Sequence, residues 1–131
     1  MSSVYETLKI LIVEDEEHTR SIIKSLLRQI GVKWISEASD GVEGLKEAIR
    51  IKPHLILCDI HMPIADGLTM LKQLRASKLD AVRNIPLIML TGDANRDNVV
   101  SAKSHGVNGY LVKPVSPNDL RSRIDAVLKT I

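Results

Sequence analysis

The sequence predicts an α/β fold in which a parallel sheet is covered by helices on both faces. Two observations lead there. Short, almost wholly apolar runs recur along the chain, and the stretches between them carry apolar residues at helical spacing. A strand buried on both faces needs the first pattern, and a helix lying on a sheet needs the second.

The first apolar run, Leu8 to Val13, reads as a strand, as do His54 to Cys58, Pro86 to Leu90 and Gly109 to Val112. Trp34 to Ala38 is more mixed and suits a strand at a sheet edge. Ile22, Ile23, Leu26, Leu27 and Ile30 line a first helix, which Gly31 stops. Val42, Leu45, Ala48 and Ile49 line a second, closed by Pro53, and Leu68, Leu71 and Leu74 line a third. A weaker fourth helix is expected over Asn95 to His105, carried by Val99, Val100 and Ala102. Leu120, Ile124, Val127 and Ile131 line a fifth, with Ser116 as N-cap and Pro117 at its first position. The order is βαβαβαβαβα, and Ser77 to Asn84 is the one longer polar connection.

The chain has 131 residues, 44% of them apolar and 26% charged, which suits a single domain over 1–131 with a core from about 8 to 128. Phe is absent, and Tyr5, Trp34 and Tyr110 are the only aromatics, so the core must be aliphatic. The net charge of +2 and the lack of a basic cluster give no electrostatic footprint for nucleic acid. Cys58 is the only cysteine, so no internal disulfide forms. Met1 to Thr7 lacks the apolar core of a signal peptide, and no apolar run approaches the ~20 residues needed to cross a bilayer. A monomeric cytoplasmic protein without membrane contact is the expectation.

In a parallel sheet, function gathers beyond the carboxyl ends of the strands. Glu14 and Asp15 stand there after the first strand, Asp59 after the third, Thr91 and Gly92 after the fourth, and Lys113 and Pro114 after the fifth. If these strands are neighbours, the side chains meet in one pocket. Carboxylates within about 5 Å repel by roughly 3 kcal/mol per pair at an effective dielectric near 20. Such a cluster takes up protons or binds a cation, and an all-oxygen set suits Mg²⁺. Lys113 adds a fixed positive charge, and Thr91 a hydroxyl that can donate to a phosphoryl oxygen. A carboxylate is ionised at neutral pH and needs no base to attack phosphorus, so the pattern predicts an aspartyl phosphate at Asp59.

These residues resemble the receiver domain of two-component response regulators, over about Leu8 to Leu128. The resemblance rests on the acidic pair Glu14-Asp15, on Asp59 followed by Met62-Pro63 and Asp66-Gly67, on Thr91-Gly92, and on Tyr110 three residues before Lys113-Pro114. It implies a flavodoxin-like (βα)5 three-layer sandwich with strand order 2-1-3-4-5. It also implies Mg²⁺ held by Asp15, Asp59 and the backbone carbonyl of His61, with Glu14 acting through water, and a cis Lys113-Pro114 peptide. Thr91 and Tyr110 would form a switch that alters the surface of the fourth helix, the fifth strand and the fifth helix. The implied partners are a histidine kinase or phosphotransfer protein and a downstream target protein, with phosphorylation-dependent dimerisation left open. A stand-alone, chemotaxis-like regulator is the simplest version and a phosphorelay intermediate the alternative. Glu14 stands where the family more often has Asp, and His61 and Asp93 occupy positions that tune attack of water on the phosphoryl group.

Each motif alone has a plainer reading: Glu14 to Glu17 as an acidic helix start, Asp59 as a turn residue, Lys113-Pro114 as a strand stop, Tyr110 as a strand aromatic. Their joint occurrence at separate strand ends decides against those readings. Glu16 and Glu17 are expected to be solvated, Asp66-Gly67 a turn and helix cap, Cys58 a buried small hydrophobe, Trp34 edge-strand packing, and His18, His54, His61 and His105 peripheral. Three rivals remain. A phosphatase of the haloacid dehalogenase type needs a second Asp two residues after Asp59, where His61 stands. A flavin carrier needs an anion-binding loop after the first strand, where Glu14 to Glu17 would repel phosphate. A receiver-like scaffold that is never phosphorylated is the third.

Overall fold

The computed structural model describes residues 4–92 and 102–129. A short 3-10 turn, Val4–Thr7, leads into β1 (Lys9–Val13), α1 (Glu17–Ile30), β2 (Trp34–Ala38), α2 (Gly41–Ile51), β3 (Leu55–Asp59) and α3 (Gly67–Arg75). A single helical turn, α4 (Asp80–Arg83), precedes β4 (Leu87–Thr91); β5 (Gly109–Val112) and α5 (Pro117–Lys129) complete the order. The strands form one parallel sheet in the order β2-β1-β3-β4-β5. This is the expected topology, with β2 at an edge. The segment expected to be polar connection, Ser77 to Asn84, holds α4, pinned by buried Val82. Of the helix expected over Asn95 to His105, residues 102–104 are helical and Ala102 is buried; Val99, Val100 and Asp93 lie outside the described residues, as does Ile131.

Strand alternation divides the core in two. Ile10, Ile12, Leu55, Leu57, Ile88, Leu90 and Leu111 face α1 and α5, where Ile23, Leu27, Leu120, Ile124 and Val127 meet them. Leu11, Val13, Ile56, Cys58, Leu87 and Met89 face the opposite way, onto Ala48 of α2 and Met70, Leu71 and Leu74 of α3. Helix ends follow the sequence signals. Gly31 takes φ 118 at the end of α1, Asp40 and Asp66 accept from backbone N–H groups at the starts of α2 and α3, and Ser116 Oγ accepts from Asp119 N at 3.1 Å.

Two helix faces differ from expectation. On α1 the stripe is narrower, and Ile22 is exposed. On α2 the buried residues are Gly41, Gly44 and Ala48, whereas Val42 and Ile49 are exposed. Glycine explains the second case. A Cβ on Gly44 would lie 2.9 Å from Met70 Sδ and from Val13, and one on Gly41 would lie 2.6 Å from the Ala65 carbonyl. The helix therefore approaches through its smallest residues and turns the larger ones outward.

The same close approach occurs at Gly67, whose N–H donates to the Ile60 carbonyl at 2.8 Å and whose missing Cβ would lie 2.2 Å from the Asp59 carbonyl oxygen. Backbone cannot yield as a flexible side chain can. Gly67→Ala should therefore lower unfolding free energy by about 1–3 kcal/mol. Gly92→Ala, where a Cβ would meet nothing within 4 Å, should stay within about 0.5 kcal/mol of the parent. Urea midpoints of the two variants check both.

Candidate functional site

Strand parity selects the side chains that meet at the carboxyl end of the sheet. Ile10 and Ile12 of β1 face α1 and α5, so the next residue of that parity is Glu14. Leu55 and Leu57 continue to Asp59 in β3, and Leu111 continues to Lys113 after β5. These three residues converge. Lys113 Nζ lies 2.5 Å from Glu14 Oε1 and 3.4 Å from Asp59 Oδ1. Carboxylate oxygens of Glu14, Asp15 and Asp59 all lie within 4.8 Å of one another. Sequence positions about a hundred residues apart are thus joined because β1 and β3 pair directly, and β4 alone separates β3 from β5.

Burial makes the grouping costly. Glu14 is 1% exposed and Asp59 6%, whereas Asp15 is exposed. Burial pushes the Glu14 carboxyl up to about 7; the hydrogen bond from Lys113 works against that shift and the charge of Asp59 adds to it. For Lys113, burial opposes the charge, but the bond to Glu14 and the charges of Asp59 and Glu14 outweigh it and hold the ammonium above the ordinary lysine value. Asp59 Oδ1 also accepts from Ile60 N–H at 2.9 Å, and Glu14 Oε2 accepts from Glu16 N–H at 3.3 Å. Among the described residues, one ammonium faces three carboxylates, a donor set of oxygens with negative charge in surplus, which fits a small hard cation.

Thr91 and Tyr110 belong to the opposite face of the sheet. Thr91 follows Leu87 and Met89 in parity and is fully buried, and Tyr110 pairs in register with Met89 and packs half-buried into the same cluster. The Lys113 N–H donates to the Thr91 carbonyl at 2.6 Å, which ties the ends of β4 and β5 together. The Lys113-Pro114 peptide is cis. Cys58 is fully buried, its thiol pushed up by desolvation. His18, His54 and His61 are exposed and His105 half-buried, and Trp34 is 61% exposed instead of packed.

The chain matches the response regulator receiver domain family over residues 10–125. It belongs to that family. Chemotaxis protein CheY-3 of Vibrio cholerae is 33% identical over 126 residues, covering 96% of this chain and 95% of that protein. Chemotaxis protein CheY of Pseudomonas aeruginosa is 35% identical over 124 residues, covering 95% and 98%. Among solved structures, chemotaxis protein CheY4 of Vibrio cholerae superposes with a TM-score of 0.83 at 28% identity, covering 92% of this chain and 98% of that one. The receiver domain of a Pseudomonas aeruginosa sensor histidine kinase, solved with a magnesium ion coordinated in its active site cleft, gives 0.81 at 29% identity, covering 92% and 97%. The chain is therefore a receiver of two-component signalling, a signalling module and not a conventional enzyme.

Several supports of this receiver were missed in the sequence. Arg20 donates to the Glu14 carbonyl at 2.8 Å while also pairing with Glu37, and so fixes the loop after β1. Arg75 donates to the carbonyls of Gly106, Arg83 and Ile85 and to Asn108 Oδ1, tying α3 to the segment that enters β5. No spacing rule announces an arginine bound to neutral oxygens. Ile64, in the loop after Asp59, takes φ 70, an uncommon conformation for a β-branched residue.

The raised Glu14 value has a sign that can be measured. A carboxyl with a higher value folded than unfolded holds its proton more tightly when folded. Its stabilising contribution is complete below its ordinary range and is lost as pH rises through about 7. In metal-free buffer, Glu14→Gln should therefore stabilise the receiver more at about pH 8 than at about pH 5. Urea midpoints at the two pH values check it.

Proposed function

We propose that Asp59 accepts a phosphoryl group from the phosphohistidine of a kinase or phosphotransfer protein, and that this changes the affinity of the receiver for a target protein. The observation that carries the reading is the placement of Lys113 Nζ between Glu14 and Asp59. In the transfer, a carboxylate oxygen of Asp59 attacks phosphorus, the P–N bond breaks, and the imidazole leaves with the electron pair. Asp59 is held for attack by the Ile60 N–H, and Lys113 offers its ammonium to the oxygens of the transferring group. Glu14, Asp15 and Asp59, with the His61 backbone carbonyl, would hold Mg²⁺, a cation found in the cleft of the similar kinase receiver. When bound, that cation supplies charge neutralisation at the phosphoryl oxygens and relieves the repulsion among the acids.

The receiver then needs a bistable element. Thr91 provides the hydroxyl that is drawn to the phosphoryl group, and Tyr110, on the same sheet face, moves with it. Swinging a two-state switch almost fully requires a bias of roughly 5 kcal/mol. The surface affected is that of β5, α5 and the helical residues 102–104. The two chemotaxis relatives support a chemotaxis-like role. Among the described residues, no helix is long and apolar enough to cross a membrane.

Incubation with acetyl phosphate and Mg²⁺ should give a phosphoryl adduct that hydroxylamine removes, seen by intact mass. Asp59→Ala should give none, and an adduct of equal yield on that variant would sink the reading. Thr91→Ala should still accept the group on Asp59 yet lose most of the phosphorylation-dependent shifts of the β5 amide resonances.

A further inference from the structure

The pole of the sheet opposite the acidic cluster carries a feature that phosphoryl transfer does not use. Trp34 opens edge strand β2 and is 61% exposed. It lines a groove of about 350 Å³ together with Lys9, Lys33, Ile35, Ser36 and Ile51. A tryptophan is costly to leave in water, and indole is enriched where partners are bound.

The backbone of β2 offers the second half of a site. The Ala38 carbonyl accepts from Glu14 N–H at 3.0 Å and so points toward β1. Alternation turns the backbone of Ser36 and Trp34 the same way and turns the N–H and C=O groups of Ile35 and Glu37 outward. Among the described residues, β2 pairs with β1 alone. The outward groups form a template for one more strand.

Charge selects the occupant. Glu37 is already matched by Arg20 at 3.1 Å and Lys24 at 3.2 Å, and Lys33 meets Glu6 only at 3.8 Å with both side chains exposed. Among the described residues, Lys9 makes no ion pair. Lys9, Lys24, Lys33 and Arg20 thus outnumber Glu6 and Glu37 along this edge. A basic edge repels a second copy of itself and attracts a strand that carries carboxylates.

We propose that the β2 edge is a docking site for an acidic, extended peptide segment of a partner protein, which adds as a strand beside Ile35 and Glu37, sets its carboxylates against Lys9 and Lys33, and covers Trp34. The Trp34 groove lies at the far end of the sheet from Asp59, and docking there does not depend on phosphorylation.

Trp34 is the chain's only tryptophan, so its fluorescence reports on the groove. The full chain is titrated with a soluble peptide alternating glutamate and threonine, with the same peptide N-methylated on alternate residues, with a lysine–threonine peptide, and with a short single-stranded DNA. The expected result is a saturable change in Trp34 emission with the unmodified glutamate peptide alone. Joint Lys9→Glu and Lys33→Glu substitution should weaken that binding about tenfold. Both lysines are exposed, so the doubly substituted chain should keep its thermal midpoint, and the N-methylated probe tests the strand pairing without altering the protein. No saturable change, or an equal response to the N-methylated peptide, the lysine peptide or the DNA, overturns the proposal. Labelling of Asp59 by acetyl phosphate should be the same with and without the peptide, which separates this test from that of the switch.

Discussion

A single ammonium set against three carboxylates governs this receiver. Lys113 reaches Glu14 and Asp59 across the sheet, and Asp15 completes the acidic group from the loop beside them. Lys113 relieves this repulsion only in part; two of the acids are almost fully buried, and burial pushes the Glu14 carboxyl up to about 7. A site with that surplus is suited to a divalent cation. The strand order, the parity of β1, β3 and β5, and the glycine at 67 all serve to keep those side chains together.

The same sheet puts the acidic cluster and the proposed switch residues on different faces. Glu14, Asp59 and Lys113 continue the parity that faces α1 and α5, whereas Thr91 and Tyr110 continue the other. The Lys113 N–H bound to the Thr91 carbonyl links the two sets at the strand ends. In the proposed switch, that bond is the link through which a change at Asp59 would reach Tyr110. Arg75 anchors the opposite end of β5 by clasping the Gly106 carbonyl and Asn108.

Much of this was legible in the sequence. Apolar runs located the strands within a residue or two, because strands buried on both faces leave few polar positions. Edge placement of β2 followed from its mixed composition, and the site residues followed from asking what stands just past each strand. The faces of α2 were not legible: Val42 and Ile49 carry the hydrophobic signal, yet glycine at 41 and 44 permits a closer approach and turns them to solvent. The helical turn at Asp80–Arg83 escaped notice because one buried residue, Val82, sets no periodicity. Trp34 was expected to pack, but it stands exposed at the start of β2, in a groove with Lys9 and Lys33 that its local sequence does not announce. Arg20 and Arg75 act through backbone carbonyls, which no side-chain pattern encodes.

The central claim is that the surplus of buried negative charge is completed by a divalent cation. Calorimetric titration of the receiver with Mg²⁺ at about pH 8 and about pH 6 tests it most directly. The account predicts one saturable site, weaker at the lower pH because protons compete at Glu14, and lost in Asp15→Asn. Absence of saturable binding at both pH values, or binding that Asp15→Asn leaves unchanged, would contradict it.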